Sequence, residues 1–344
     1  MSKMKVAMYY KNNDVRIKEM QIPEIKDDEI LVKVIASGIC GSDVMEWYRV
    51  KKAPLVLGHE ISGVIEKTGK KVKNFKKGDR VFVTHHVPCN TCNFCMNDKH
   101  TLCDTLHNTK FYPGGFAQYL RVPKINVNYG TFKLPDAVNF EEGTFIEPLA
   151  CVVRGFRCLD FEPKKTVLVL GSGIAGLLNI KLAKALNSSK IFATDIDEYR
   201  LKLAKDMGAD VTINANENIV EKIKRYNNDE LVDFVVLCAG ATSAVKQAFD
   251  SIKPGGTILL FAMTSPGVEV PLEIFKIWNK QVKIVSTYAA VEKDIKEAIQ
   301  LLSSKKLDVN DMITHKLPLK DIQKGFKLVS EAKQSMKVII EPNK

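Results

Sequence analysis

The sequence lacks long apolar runs, repeated segments and low-complexity tracts. No stretch approaches the roughly 18 consecutive apolar residues that a membrane span requires. The opening MSKMKVAMYYKNND also lacks the apolar core of a signal peptide. We therefore expect a soluble, cytoplasmic protein without a membrane partner. Because 344 residues exceed one ordinary hydrophobic core, we expect two domains.

Arginine is also scarce: the net charge of +11 comes from 43 lysines and only 8 arginines, and the lysines are scattered along the chain. A nucleic-acid-binding surface needs a concentrated basic stripe, usually with aromatic residues in it, and no such stripe occurs. The composition therefore argues against a nucleic-acid partner. The excess of positive charge remains compatible with an anionic small-molecule substrate.

The distribution of apolar residues changes along the chain. Residues 1–125 contain short apolar runs separated by turn residues, such as EILVKVIA, GDRVFV and FAQYLRV, which predict a β-barrel-like domain. From Thr166 onward, strands such as TVLVL, KIFATD and LVDFVVLC alternate with amphipathic helices, which predicts a doubly wound parallel sheet. The final strand, MKVIIEP, has no helix left to pair with, so we expect the tail to rejoin the first domain.

Four cysteines lie within fifteen residues, at Cys89, Cys92, Cys95 and Cys103. Disulfides are uncommon in a reducing cytosol, so the cluster indicates metal or redox chemistry. Four thiolates complete a tetrahedral zinc shell and leave no position for a substrate, which predicts a structural zinc. An iron-sulfur cluster is the alternative. Such runs usually carry proline after the last cysteine, whereas Asp104 stands there.

A glycine-rich turn follows the predicted strand TVLVL and comprises Gly171, Gly173, Ile174 and Gly176 at the start of a helix. These glycines permit a tight turn, close approach to a pyrophosphate and close helix packing. Asp195 ends the next strand, where a carboxylate accepts hydrogen bonds from a ribose 2′-hydroxyl and repels a 2′-phosphate. The segment therefore predicts a dinucleotide site that favours NAD over NADP.

A second metal-ligating set comprises Cys40 in GICGSD, His59 and Glu60 in LGHEISG, and Glu147 in FIEPLAC. One thiolate, one imidazole and one or two carboxylates leave a zinc position open, as in catalytic sites. Each residue alone is weak evidence, because a single histidine is more often a core residue and Glu147 could cap a helix. Their presence beside a dinucleotide fold strengthens the prediction.

With these motifs, the sequence resembles the zinc-containing medium-chain dehydrogenases. The resemblance covers nearly the whole chain, from GICGSD and GHEISGVIEKTGKKVKNFKKGDRV to GGFAQYLRVP, EPLAC, GSGIAG and ITHKLPLKDI. It implies a GroES-like β-barrel catalytic domain at 1–150, with a structural zinc lobe at 85–110. It further implies a Rossmann NAD-binding domain at 151–289 and a tail at 290–344 that completes the catalytic domain, so the expected fold class is α/β.

The resemblance also implies a role for each matching residue. Cys40, His59 and Glu60 would bind the catalytic zinc, and Glu147 would bind it directly or through water. Ser42 would accept the proton of the alcohol. Glutamate in EPLA is similar to the polyol (sorbitol-type) and threonine dehydrogenase branches.

Three further positions follow from the same resemblance. Asp43 would orient the ring of His59, and Arg200 would flank the adenosine of the cofactor. Met45 departs from the pattern, because sorbitol- and threonine-type relatives commonly carry a relay histidine there, while galactitol-phosphate-type relatives lack it. The relay past Ser42 would then run through water, the ribose hydroxyl or Glu147.

The sequence thus predicts an NAD-dependent enzyme with two zinc ions per chain that oxidises a secondary alcohol, foremost a polyol, to a ketone. A threonine-type amino alcohol and a sugar-phosphate polyol are alternative substrates. A cofactor-binding redox sensor is the non-enzymatic alternative. Relatives assemble through the Rossmann domain, so a homodimer or homotetramer is expected. The remaining histidines in this part of the chain are interpreted as surface or turn residues: His85, His86, His100 and His107.

Overall fold

The computed structural model describes residues 2–262 and 264–344. The chain divides into two compact units. The first unit combines Met1–Ala150 with Ala289–Lys344, and the second is Cys151–Tyr288. The last segment of the first unit therefore returns to it after the whole second unit.

The strands are β1 (Lys3–Lys11), β2 (Asp14–Gln21), β3 (Ile30–Gly38), β4 (Leu55–Val56), β5 (Glu60–Thr68), β6 (Arg80–Val83), β7 (Tyr119–Val122), β8 (Thr131–Lys133), β9 (Thr166–Leu170), β10 (Lys190–Asp195), β11 (Val211–Asn214), β12 (Val232–Leu237), β13 (Ile252–Leu260), β14 (Lys283–Ser286), β15 (Ile313–Pro318) and β16 (Lys337–Glu341). The helices are α1 (Glu46–Arg49), α2 (Asn93–Met96), α3 (Asp104–Asn108), α4 (Lys124–Tyr129), α5 (Phe140–Gly143), α6 (Ile146–Cys158), α7 (Ile174–Ala185), α8 (Glu198–Asp206), α9 (Ile219–Tyr226), α10 (Thr242–Ser251), α11 (Ile274–Asn279), α12 (Glu292–Ser303) and α13 (Ile322–Glu331).

The first unit is built on two sheets. One has the order β2-β1-β4, and the other has the order β15-β16-β3-β5-β6-β8 with β7 paired to β3. Side chains alternate along a strand, so Ile30, Val32 and Val34 of β3 face one core together with Ile61 and Ile65 of β5. This apolar face fixes the register of the central strands.

The same register brings the end of β3, the start of β5 and the middle of β16 together. Gly38, at the end of β3, pairs with Glu60 at the start of β5 and with Ile339 of β16. The chain segment that follows β3 and the one that precedes β5 therefore meet at the same end of these strands. This is where the first unit places its candidate metal ligands.

The second unit has one parallel sheet in the order β11-β10-β9-β12-β13-β14. The chain order reverses next to β9, and ligands of such sheets bind at the carboxyl ends of the strands at this switch point. All six residues of β12 are buried, as expected for a parallel strand covered on both faces. The glycine-rich turn directly follows β9.

The predicted combination of a GroES-like barrel and a doubly wound sheet is confirmed. Strand β11 is not among the sequence predictions, because this four-residue edge strand is largely half-exposed and carries little apolar signal. None of the helices in the described part of the chain is both long enough and apolar enough to cross a membrane.

Candidate active site

The turn after β3 holds Cys40 in a defined orientation. Cys40 caps a short 3-10 helix, Gly41–Val44, and its Sγ accepts a hydrogen bond from the Ser42 backbone N–H at 3.4 Å. The Asp43 carboxylate in turn accepts from the Cys40 N–H at 3.1 Å. This reciprocal cap places the thiol, Ser42 and Asp43 on one tight turn.

Cys40, His59 and Glu60 form one of the possible metal-binding groups among the described residues. One ligand atom from each lies within 4.8 Å of the others. Sulfur, imidazole nitrogen and carboxylate oxygen are all zinc ligands, and three protein ligands leave a fourth position open. Glu147, in the first turn of α6, does not belong to this group. The donor set therefore fits a catalytic zinc held by three residues.

The carboxylate of Asp43 is a buried negative charge next to this ligand set. Its Oδ1 lies 3.4 Å from His59 Nδ1. Burial acts to raise the pKa of Asp43, but His59 and Arg49 hold that pKa below its ordinary value. Burial acts to lower the pKa of His59, whereas Asp43 and Cys40 raise it well above its ordinary value. The surroundings of the ring therefore favour a positive charge, which a metal cation would supply.

Glu60 has a partner from the far end of the chain. Lys337 Nζ donates a hydrogen bond to Glu60 Oε2, and both side chains are fully or almost fully buried. The ammonium group also lies 5.0 Å from the ring centroid of Phe145. A Cβ atom at Gly38 would come within 2.3 Å of Glu60 Oε2. Glycine at position 38 therefore makes room for this ion pair, which the sequence analysis did not identify.

Ser42 also has a partner that the sequence analysis missed. Arg49 donates from Nε to the Ser42 carbonyl oxygen at 2.9 Å and from Nη2 to Ser42 Oγ at 3.0 Å. Met45, the position of the missing relay histidine, has 45% of its surface exposed. The only indication of the Arg49–Ser42 contact in the sequence is a spacing: Arg49 lies one helical turn after Met45.

Of the four histidines that were interpreted as surface or turn residues, three are half-buried, namely His85, His86 and His100. His107 is exposed, as expected. The rings of His85 and His86 contact each other at a tilt of 42°, with centroids 3.8 Å apart, and the ring centroid of His85 lies 4.8 Å from that of His59. Burial lowers the pKa of His85 well below its ordinary value and the pKa of His86 to about 4. Both side chains are half-buried, and His85 lies at a bend, so the surface interpretation holds only in part whereas the turn interpretation fits His85.

The four cysteines of the candidate structural site converge as a separate group. Sγ atoms of Cys92 and Cys95, and those of Cys89 and Cys103, lie 3.6 Å apart. A disulfide would require about 2 Å, whereas a tetrahedron with zinc-sulfur bonds of about 2.3 Å has edges of about 3.8 Å. The spacing therefore fits four thiolates around one zinc ion.

Hydrogen bonds within this lobe favour thiolates. Cys89 Sγ accepts from the Cys92 backbone N–H at 3.3 Å and from both donors of Thr91 at 3.5 Å. Chiefly through the Thr91 hydroxyl, these bonds lower the pKa of Cys89 to about 5. Burial raises the pKa of Cys95 to about 12, so a cation is needed before all four sulfurs ionise together.

In the second unit, the glycine-rich turn has the geometry of a phosphate cradle. Gly171 has φ of +95°, which favours glycine. A Cβ atom at Gly176 would lie only 1.9 Å from the Gly171 carbonyl oxygen, whereas the space beside Gly173 is open for 4 Å. Helix α7 begins at Ile174, so its N-terminal N–H groups point out of the turn. The turn therefore fits a dinucleotide pyrophosphate.

Asp195, at the end of β10, supports this turn. Its Oδ2 accepts from the Ser172 N–H at 2.8 Å, and its Oδ1 accepts from the Asp197 N–H at 3.1 Å. Arg200 Nη1 lies 3.8 Å from the same carboxylate. Each carboxylate oxygen can accept a second bond, so the position also fits the ribose contact predicted from the sequence.

Comparisons with known proteins agree with both units. The family model for the alcohol dehydrogenase GroES-like domain matches residues 26–136, and the model for zinc-binding dehydrogenases matches residues 175–304. The sorbitol dehydrogenase of Bacillus subtilis (strain 168) is 32% identical over 352 residues, covering 99% of this chain and 98% of its own.

Two solved structures extend the similarity to the fold. A zinc-binding dehydrogenase from Sinorhizobium meliloti 1021, bound to NADP, matches with a TM-score of 0.89 and 27% identity, over 99% of this chain and 100% of its own. Galactitol-1-phosphate dehydrogenase from Escherichia coli matches with a TM-score of 0.87 and 28% identity, over 98% of this chain and 100% of its own.

The first unit has the barrel and two ligand sets that contain thiolates, and the second has the parallel sheet and the phosphate cradle. Together these features define a zinc-dependent oxidoreductase. The chain belongs to the zinc-containing medium-chain dehydrogenase family, in its polyol and threonine dehydrogenase branch. It is an alcohol dehydrogenase that uses zinc and a nicotinamide dinucleotide to oxidise a small-molecule alcohol.

Proposed function

We propose that the enzyme oxidises a secondary hydroxyl of a polyol to a ketone and delivers the hydride to NAD. The observation that supports this most strongly is the convergence of Cys40, His59 and Glu60 beside Ser42. Zinc at this group would act as a Lewis acid that lowers the pKa of the alcohol, and NAD would accept the hydride. The proposed catalytic unit is residues 1–150 with 290–344, and the proposed cofactor domain is 151–289.

The protein side chains take the following parts in the proposal. Ser42 accepts the proton of the alcohol hydroxyl through its Oγ atom. Asp43 holds the His59 ring at Nδ1, which leaves Nε2 for the metal. Glu60 uses Oε2 for Lys337 and offers Oε1 to the metal. Glu147, which lies outside this ligand group, acts through a water molecule rather than as a direct ligand.

The proposal of a polyol substrate is supported by relatives named sorbitol dehydrogenase and D-xylulose reductase, which cover 99% and 93% of this chain. The similarity to sorbitol dehydrogenase supports an unphosphorylated polyol, and the similarity to galactitol-1-phosphate dehydrogenase supports a phosphorylated one. Initial rates of NADH formation should be measured with sorbitol, xylitol, galactitol 1-phosphate, L-threonine and 2,3-butanediol, before and after chelation. Higher kcat/KM for threonine or butanediol than for every polyol contradicts the proposed class.

The preference for NAD rests on Asp195, whose carboxylate is held beside the glycine-rich turn. A 2′-phosphate would meet this negative charge, although Arg200 at 3.8 Å offsets part of it. Replacement of Asp195 by alanine should raise the KM for NAD and narrow the NAD-to-NADP ratio of kcat/KM roughly tenfold. A wild-type enzyme that already prefers NADP contradicts this assignment.

We also propose a homodimer or homotetramer that assembles through the second unit. Strand β14 is an edge strand of the parallel sheet, with backbone groups available for pairing. Exposed apolar side chains lie beside it in sequence, with Phe275 68% and Trp278 71% exposed. Light scattering should give an oligomer for the wild type and a smaller species for Trp278→Glu.

A cytoplasmic location completes the proposal. All eight cysteines are free thiols, and four of them form the candidate zinc site. Such a cluster persists where thiols are kept reduced. Fractionation of the native host should therefore recover dehydrogenase activity in the cytosol, whereas activity in an oxidising compartment contradicts this proposal.

A further inference from the structure

Arg49 reaches back along its own helical turn to Ser42. Its backbone N–H donates to the Met45 carbonyl at 3.0 Å, and its side chain donates to both the carbonyl and the hydroxyl of Ser42. Nη2 also lies 3.5 Å from Asp43 Oδ1, and the side chain is only 15% exposed. One guanidinium group thus contacts Ser42 and the carboxylate that orients the His59 ring.

We propose that Arg49 is the positioning residue of Ser42, an inference that rests on the proton-accepting role given to Ser42 above. A serine hydroxyl rotates freely and has two lone pairs and one proton. The planar guanidinium is a rigid fork of donors, and here two donors bind the same residue. Arg49 occupies one lone pair of Oγ, which leaves the second for the substrate and turns the hydroxyl proton away from Arg49.

Arg49 neither gains nor loses a proton in the proposed proton transfer. The alcohol proton passes to Ser42 Oγ while the hydroxyl proton of Ser42 passes to a water molecule, so the serine stays neutral. The guanidinium group of arginine does not lose its proton in proteins, and the thioether of Met45 cannot carry one. Arg49 therefore replaces the missing histidine in orienting Ser42, and it takes no part in conducting the proton.

The surroundings hold the guanidinium in place. Its Cζ lies 4.8 Å from the ring centroid of Tyr48. Lys52 lies 4.4 Å from the same ring and donates to the Tyr48 hydroxyl at 3.2 Å. Cation-π contacts of this kind restrict the side chain. Lysine at position 49 would keep the charge but lose the two-pronged contact with Ser42.

The test is a double-mutant cycle of Arg49→Met and Ser42→Ala, read with the fastest alcohol of the panel. Loss of a charged hydrogen bond should lower kcat about 10- to 100-fold in Arg49→Met, with KM little changed. In the Ser42→Ala background the same substitution should change kcat less than about threefold. Arg49→Lys should resemble Arg49→Met in kcat.

Arg16→Met is the matched control, because Arg16 also pairs with an aspartate and stacks 4.7 Å from a tyrosine ring. It should leave kcat unchanged. Urea unfolding of the zinc-loaded protein gives a readout independent of turnover: the shift in midpoint caused by Arg49→Met should shrink when Ser42 is already alanine.

Three results would overturn the inference. They are equal losses from Arg49→Met in both backgrounds, full turnover in Arg49→Lys, and loss of zinc from Arg49→Met, which would place its action on Asp43 and His59. The proposed function fails differently, because in that case Ser42→Ala alone retains near-normal turnover.

Discussion

The two candidate zinc sites of the first unit are assembled in opposite ways. The cysteine lobe takes all its ligands from residues 89–103 and stabilises their sulfurs with neighbouring backbone N–H groups. The catalytic set takes its ligands from two separate segments, at Cys40 and at His59 and Glu60, and a counter-charge from a distant third, since Lys337 lies 277 residues from Glu60. The first site depends on local sequence, whereas the second depends on the completed fold.

The electrostatics differ in the same way. In the lobe, four thiolates would more than neutralise one divalent cation, backbone N–H groups donate to the sulfurs of Cys89 and Cys103, and no position is left for a substrate. In the catalytic set, each charged group has a protein partner: Asp43 lies beside Arg49 and His59, and Glu60 is paired with Lys337. A closed site can therefore be self-contained, whereas an open site needs surrounding charges to hold its ligands.

The largest expected effect tests the self-contained character of the lobe. Cys95→Ser should remove one zinc per chain and lower the free energy of unfolding by about 5 kcal/mol or more, because metal binding and folding of the lobe are coupled. Elemental analysis and urea unfolding measure both quantities. Cys158→Ser, which alters a thiol outside the lobe, is the control. A lobe that stays stable without its zinc would contradict the claim that the metal and its four ligands hold this site together.

The next effect concerns the open site. His59→Ala should lower kcat by about 10³-fold or more, because an alcohol loses its Lewis acid. Zinc in the lobe should stay bound, and the unfolding midpoint should fall less than in Cys95→Ser, because Asp43 loses His59 but keeps Arg49 as a partner. His107→Ala, at an exposed histidine, should retain full activity. If His59→Ala instead unfolds the lobe, the structural and catalytic roles have been assigned in reverse.

Lys337→Met tests whether the open site depends on its distant counter-charge. The substitution leaves the Glu60 carboxylate buried without its partner, which should cost about 3 kcal/mol of stability. Adding Glu60→Gln should restore part of this loss. Lys316→Met breaks the partly exposed pair with Glu141, which is 2.8 Å long, and should cost less than about 1 kcal/mol. Equal losses in the two lysine variants would contradict the role of burial.

The smallest effect is a difference in rate. A chelator should remove zinc from the open site roughly tenfold faster than from the lobe, since an open position admits the competing ligand. Activity should fall with the first zinc, and the unfolding midpoint should fall with the second. Simultaneous loss of both metals, measured by elemental analysis of timed samples, would remove the distinction.

Sequence reasoning predicted the features that short segments determine. The cysteine spacing alone indicated four convergent sulfurs, and the turn from Gly171 to Gly176 indicated a phosphate cradle, because each set of residues lies within one loop. The order of strands and helices predicted the parallel sheet. Edge strand β11 escaped because four half-exposed residues carry too weak a pattern.

What sequence reasoning could not find depends on contacts between distant segments. Lys337 appeared only as a residue near the end of a strand, and nothing in KVIIE indicates a partner at Glu60. The contact between the rings of His85 and His59 likewise follows from the packing of β6 beside β5. Arg49 was within reach of a spacing argument, but only the structure shows that its side chain turns back to Ser42.

The position of β16 has a consequence for synthesis of the enzyme on the ribosome. Domains generally fold as they emerge, and the second unit is one continuous segment that is ready as soon as it leaves the exit tunnel. The first unit, although begun earlier, must wait for β16 to enter its sheet beside β3. Until then, Glu60 has no ammonium partner. The catalytic centre therefore matures after the second unit, and the chain must be made at least as far as β16 before the enzyme can act.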